Sequence, residues 1–321
     1  MKLKDSIISK MNELGKRKKP FLFILSFDEQ EGVVQELDQV DKNIFFNFNG
    51  ITNNQTFNKE TTPLLESFPI YIANYQEQFD KVQKEISLGN TYLINLTIET
   101  PITLNCSLKD IYNSVRAKYK LFFKDNFICF SPETFIQIKG KTIYSFPMKG
   151  TVDATLPNAE QQILNDPKEN AEHYTIVDLI RNDLNTVSKK VKVDRFKYLD
   201  RLETSKGSIL QMSSQISGEL PSNWHETIGD IFQQLLPAGS ITGSPKARTV
   251  QIINTVETHH RNYYTGVCGI YDGENLDSGV MIRYIENTTN GFVYKSGGGI
   301  TFCSDAEKEY EELIQKVYIP L

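Results

Sequence analysis

FFKDNFICFSPETFIQIKGKTIYSFP, residues 122–147, decides the fold class. Short apolar runs are cut by two turn signals, Lys124-Asp125-Asn126 and Lys139-Gly140-Lys141, so the segment reads as successive strands. Downstream, GVCGIYDG, SGVMIRYIE and GFVYKSGGGIT supply further strands within 266–301. Upstream, TYLINLTIE at 91–99 alternates: Ile94, Leu96 and Ile98 face one way, Leu93, Asn95 and Thr97 the other. Helices flank these runs. Tyr75, Phe79, Val82 and Ile86 have helical spacing ended by Gly89-Asn90. Residues 168–184 place Ile176, Val177, Leu179 and Ile180 on an apolar face, a helix over 244–258 starts with Ser244 as N-cap and Pro245 as its first residue, and a last helix covers about 305–317. Strands in runs with flanking helices indicate α+β rather than alternating βαβ.

The amino-terminal part is less regular. A short helix fits 1–14, GKRKKP at 15–20 reads as a solvated basic turn, and FLFILSF at 21–27 and IFFNFNG at 44–50 read as strands. Residues 50–62 are polar and aperiodic, a loop or linker. With 321 residues the chain suits two domains or one large interwoven one. Its charge, 35 − 40 = −5, and its 39% hydrophobic content exclude a largely disordered chain. A sequence pI near 5.6 argues against nucleic acid bound through a basic face. The longest apolar run, FLFIL, is far too short to span a membrane, and MKLKDSIISK lacks the apolar stretch of a secretory signal. Cys106, Cys129, Cys268 and Cys303 have no paired spacing, so free thiols in a cytoplasmic protein are expected and a cysteine zinc site is not.

Several groupings can carry chemistry. Glu169 and Glu172, and Glu309 and Glu312, are each three apart on predicted helices, so each pair shares a face. Four carboxylates from two helices suit a hard cation held through oxygen, although KEYEE by itself is more often a solvated surface. Lys316 lies four residues beyond Glu312 on the same face, which adds an anion-binding group. KSGGGIT at 295–301 reads either as a backbone cradle for an anion or as a flexible turn. PAGSITGSPKAR at 237–248 departs from the Walker pattern and reads as a loop entering a helix, with a capacity for carboxylate or merely a capped start. Glu133 in SPETF and Lys149 in FPMKGT supply an acid and an amine, a possible general acid and nucleophile or a surface ion pair. Cys268 in G-V-C-G reads as a buried core thiol rather than a nucleophile.

SPETF, FPMKGT, ENAEHYTIVDLIRNDL, PAGSITGSPKARTVQIINTVE, GVMIRYIE and SGGGITFCSDAEKEYEELIQKV run in that order within about 75–317. Together they resemble the chorismate-utilising enzymes, the family that includes anthranilate synthase component I. The resemblance implies two mostly antiparallel sheets sandwiched by helices, with the site between the sheets. It implies a catalytic domain over 71–321, with 1–70 a reduced amino-terminal part packed on it. P-M-K-G-T is similar to the motif of the aminodeoxychorismate synthases, where anthranilate synthases carry alanine in place of the lysine. Relatives that form isochorismate or salicylate place a lysine base where this chain has Leu93.

By resemblance, Glu172 and Glu312 ligate Mg²⁺, with Glu169 and Glu309 in support. Arg283, Gly298, Gly299 and Lys316 recognise carboxylates, and Thr242 and Gly243 line the same pocket. Lys149 is the implied nucleophile and Glu133 the implied general acid. The implied reaction joins chorismate and ammonia into 4-amino-4-deoxychorismate, on the way to para-aminobenzoate and folate. The ammonia comes from a glutamine amidotransferase component II. Anthranilate synthesis and a silent chorismate-binding subunit are the alternatives. Departures from the family at Leu93, Gln211 and Ile270 bear on contacts to the C4 hydroxyl and the enolpyruvyl group. L-L-E-S in PLLESF at 63–68, a string known from the tryptophan site of larger relatives, reads as chance.

Overall fold

The computed structural model describes residues 3–54, 62–204 and 207–320. In chain order the elements are α1 (Asp5–Lys16), β1 (Phe21–Leu25), β2 (Gly32–Glu36), β3 (Ile44–Phe48), β4 (Ile51–Thr52), β5 (Leu65–Ser67), α2 (Ile72–Ser87), β6 (Leu93–Leu104), α3 (Leu108–Ser114), β7 (Tyr119–Phe123), β8 (Phe127–Ser131), β9 (Thr134–Lys139), β10 (Thr142–Ser145) and β11 (Met148–Asp153). They continue with α4 (Ala159–Asn165), α5 (Pro167–Val187), β12 (Lys189–Thr204), β13 (Gly207–Glu219), α6 (Ile228–Leu235), β14 (Gly243–Ser244), α7 (Lys246–Val256), β15 (Val267–Tyr271), β16 (Leu276–Val280), β17 (Tyr284–Thr288), β18 (Gly291–Ile300) and α8 (Ala306–Gln315).

Among the described residues the strands form two sheets of nine, α+β as the strand runs indicate. The first runs β11-β13-β10-β9-β16-β15-β1-β2, with β12 on the other edge of β13. The second runs β14-β6-β18-β17-β8-β7-β3-β4, with β5 on β6. Every pairing is antiparallel. The first 70 residues supply β1 and β2 to one sheet and β3, β4 and β5 to the other.

Burial explains the strand patterns. FLFIL is apolar throughout because both faces of β1 are covered. Phe21, Phe23 and Leu25 join the core beneath α1 and α6, while Leu22 and Ile24 fill the space between the sheets with Phe46, Tyr119, Cys129 and Cys268. Cys268 is the core thiol expected, and burial pushes its pKa up. In β6, Ile94, Leu96 and Ile98 join the helical core with α2 and α7. The turns fall where the sequence places them: Lys124 and Asp125 both take positive φ, as does Gly140.

Two readings change and one alternative is decided. Ser244 does not cap α7; it is strand, paired with Leu93, and Pro245 takes the N-cap position. The Ser244 carbonyl accepts from the Tyr92 N–H and the Thr91 hydroxyl, which holds that residue on β6. KSGGGIT lies in β18, as the strand reading of GFVYKSGGGIT has it and not as the flexible turn that was its alternative, and Gly297, Gly298 and Gly299 pair with Thr97, Leu96 and Asn95. The loop over 50–62 contains the short strand β4, and its residues 55–61 lie outside the described residues. L-L-E-S contributes β5.

Candidate active site

The site arises where the chain crosses between sheets. It leaves the second sheet at Ser131 and enters the first at Thr134, with Glu133 in the crossing. It returns from Val280 to Tyr284, with Arg283 in that crossing. Val280 N–H donates to the Glu133 carbonyl and Phe130 N–H to the Arg283 carbonyl, both at 3.1 Å, so the two crossings are tied together. Beside them lies a cavity of about 500 Å³. Met148–Thr151 and Gln211 line it from the first sheet, Asn95 and Lys295–Gly299 from the second, and α5 and α8 close one side.

Lys149 enters through a bulge. The β11–β13 register shifts between Lys149 and Thr151, and Gly150 takes φ +75°. A Cβ on Gly150 would lie 2.9 Å from the Glu169 carboxylate, so glycine serves both the turn and the close approach. The Lys149 amine lies 2.7 Å from Glu172 Oε2. Burial pulls its pKa down, but Glu172, with Glu169 and Glu312, outweighs that and leaves it above the usual lysine value.

Helix α5 starts cleanly because Asp166 accepts the Glu169 N–H at 2.9 Å and Pro167 follows. Its apolar face (Ile176, Val177, Ile180, Leu184) is core, which turns Lys168, Glu169 and Glu172 toward the cavity. Burial and the neighbouring Glu172 push the Glu169 pKa up. Helix α8 is capped by Asp305 and anchored by Leu313, and it presents Glu309 and Glu312. Lys316 Nζ bonds Glu312 at 2.8 Å and the Gly297 carbonyl at 2.9 Å. Burial lowers the Lys316 pKa; Lys316, Lys149 and Lys168 hold Glu312 below its ordinary value despite burial.

Glu133 lines the same cavity, and Ser240 donates to its Oε1 at 2.5 Å. Burial raises its pKa against the opposing pull of Ser240, Lys149, Arg283 and Lys316. A carboxyl kept toward its neutral form in such a place can deliver a proton. Arg283 Nε is buried with no hydrogen-bond partner, as is Ser296 Oγ, and both residues line the cavity. An unpartnered guanidinium N–H suits a carboxylate ligand. Beyond Lys295, β18 has β6 on one edge and, among the described residues, no strand on the other. Alternate amides of 296–299 are therefore free of the ladder there.

The structure thus brings together Lys149, Glu133, Glu169, Glu172, Glu309, Glu312, Arg283, Gly298, Gly299 and Lys316. Thr242 and Gly243 do not line this cavity. The Thr242 hydroxyl donates to the Ala238 carbonyl, and Gly243 lies flat on β6, where a Cβ would be 1.9 Å from the Leu93 carbonyl oxygen. Ser240 and Ile241 of the same loop take that place. Gln211 lines the cavity, and Leu93 lies against Gly299, as does the Lys149 amine. Ile270 is instead core between the sheets, so that departure bears on packing. Lys168 and Ser240 were not singled out by the sequence; the i, i+4 spacing of Lys168 and Glu172 is the signal that was available for the first.

Four carboxylates, all hard oxygen donors, fit a magnesium-type ion by chemistry, and lysine ammonium groups already stand among them. Among the described residues no three acidic, histidine or cysteine side chains converge on one point, and Glu172, Glu309 and Glu312 are each paired with a lysine, Lys149, Lys168 and Lys316.

Residues 12–321 match the chorismate binding enzyme family, and the chain belongs to it. It is 49% identical over 319 residues to the uncharacterized PabA-like protein PM1464 of Pasteurella multocida, covering 98% of each chain. It is 29% identical to aminodeoxychorismate synthase component 1 of Bacillus subtilis, over 78% of this chain and 55% of that one. To anthranilate synthase component 1 of Synechocystis it is 36% identical, over 68% and 45%. MenF, the menaquinone-specific isochorismate synthase of Escherichia coli, shares the fold with a TM-score of 0.73 at 16% identity, covering 97% of this chain and 80% of that one. No helix among the described residues is long and apolar enough to cross a membrane.

Proposed function

We propose that this chain is an aminodeoxychorismate synthase component I, converting chorismate and ammonia to 4-amino-4-deoxychorismate for para-aminobenzoate and folate synthesis. The observation that carries the reading is Lys149 standing in the cavity that Glu133 also lines, with apolar Leu93 against the same glycine. An amine is present where a nucleophile is needed, and a side chain unable to activate water lies next to it.

Arg283, Lys316 and the open edge of β18 at 296–299, beside Gly298 and Gly299, bind the substrate carboxylates. Glu172 and Glu312, supported by Glu169 and Glu309, would hold Mg²⁺, which when bound neutralises and orients the ring carboxylate. Lys149 attacks ring C2, both conjugated ring double bonds shift away from it round the ring, and the C4–O bond breaks. Glu133 protonates the departing hydroxyl, which leaves as water. Ammonia then attacks C4, both double bonds shift back, and the C2–N bond breaks to return the Lys149 amine. The proton released as the new C4 amine becomes neutral restores Glu133. Lys149 must be unprotonated to attack; when Glu172 no longer accepts its proton, burial is what lowers its pKa. A glutamine amidotransferase component II is the proposed ammonia source.

The identity to a Synechocystis anthranilate synthase component favours a second reading, anthranilate formation. Mass spectrometry of the product from chain, chorismate, MgCl₂ and ammonium chloride separates the two. The expected product retains the enolpyruvyl group and is nearly absent with Lys149→Ala. Anthranilate from the unaltered chain would establish the second reading.

A further inference from the structure

Lys168 joins the two helices that carry the carboxylates. From the first turn of α5 its Nζ lies 2.8 Å from Glu309 Oε1 on α8 and 3.9 Å from Glu172 Oε1 on its own helix. Among the described residues it is the side chain that forms an ion pair between α5 and α8. Glu309 is 2% exposed, so without a nearby cation it would be a buried, uncompensated charge. The Lys168 side chain is 39% exposed and can reach solvent by rotating its stem. Lys149 differs: it extends from a strand bulge into the cavity and holds the other oxygen of Glu172.

We propose that Lys168 is a resident counter-cation that a divalent ion must displace, so that this lysine sets the metal affinity of the site. The inference rests on the reading that Glu172 and Glu309 help to hold Mg²⁺. A divalent ion shared by these carboxylates needs the oxygen lone pairs that Lys168 now occupies, and two cations within about 4 Å of each other repel. Lys168 keeps the metal-free chain intact and yields when metal arrives. Metal affinity is therefore the affinity of the bare carboxylates reduced by the cost of expelling one ammonium group.

The test is calorimetric titration of MgCl₂ into the whole chain without substrate, for wild type, Lys168→Met and Lys168→Gln, with melting temperatures in EDTA and at saturating Mg²⁺. Removing a competitor worth about 1.4 kcal/mol tightens binding about tenfold. Both variants should bind Mg²⁺ about tenfold more tightly, melt lower in EDTA, and recover most of that loss with Mg²⁺. Variants that bind no more tightly than a Mg²⁺-binding wild type would overturn the inference while leaving the metal site standing. Absence of Mg²⁺ binding in all three would overturn both. Binding seen only in the variants would support it most strongly.

Discussion

Two clusters of buried charge stand close to β6, and they are built in opposite ways. Glu257 and Arg261 are each 2% exposed. Arg261 holds both carboxylate oxygens, at 2.9 Å through Nε and 2.6 Å through Nη2, and its remaining donors reach the Asn95 and Ile241 carbonyls. Thr97 adds its N–H and its hydroxyl to Glu257. In the cavity, Glu172, Glu309 and Glu312 pair with lysines that are partly exposed, and Arg283 Nε and Ser296 Oγ have no partner. A planar guanidinium locked at both oxygens is a fixed brace; lysine point charges on flexible stems can be exchanged for a ligand. Buried charge is structural in the first cluster and available in the second.

The largest expected effect tests the brace. Glu257→Gln leaves Arg261 buried without its counter-charge and should cost about 3–5 kcal/mol in denaturant unfolding. Glu312→Gln, at the half-exposed carboxylate of the exchangeable cluster, should cost under about 1 kcal/mol. Equal losses would erase the distinction. Glu133→Gln should leave stability nearly unchanged, since burial already favours its neutral form, yet lower kcat by about 10²-fold or more. A kcat within a few-fold of wild type would remove Glu133 from the chemistry.

Ser240→Ala should have a smaller effect, about tenfold in kcat with KM for chorismate held, because it orients Glu133. Losing that donor also raises the Glu133 pKa. The acid form then persists to higher pH, and the basic limb of the rate profile should move upward. Ser240→Thr should restore both.

The smallest effect is in pH dependence. Burial, with Lys295 and Arg261, keeps His259 neutral below its ordinary 6.5, against the pull of Glu257 and Glu99. The unfolded chain takes up that proton first, so this contribution to stability is complete above about pH 6.5 and is lost as pH falls toward the lowered folded value. His259→Gln should flatten the slope of unfolding free energy on that side; an identical slope would mean that the ring is protonated in the folded chain.

Most strands were legible because their burial leaves a plain pattern: FLFIL for a strand covered twice, alternation in β6, turn residues at 124–126 and 139–141. The carboxylate pairs were legible because a helix brings i and i+3 together. What joins distant segments was not. Ser240 and Glu133 meet across 107 positions, and only the chain's crossing between sheets makes them neighbours. Ser244 carries the signature of a helix cap, and β6 overrides it by offering strand pairing. The β12–β13 hairpin is poorly marked because β12 is a sheet edge, where KKVKVDRFKYLDRLET can remain polar.

The central claim is that Lys149 forms a bond to the substrate ring. Intact-protein mass spectrometry of the chain quenched with chorismate and Mg²⁺ but no ammonium, followed by peptide mapping, tests it directly. The account predicts an adduct of chorismate less one water on the peptide carrying Lys149, discharged on adding ammonium and absent from Lys149→Ala. Absence of any adduct, together with undiminished amination by Lys149→Ala, would contradict it.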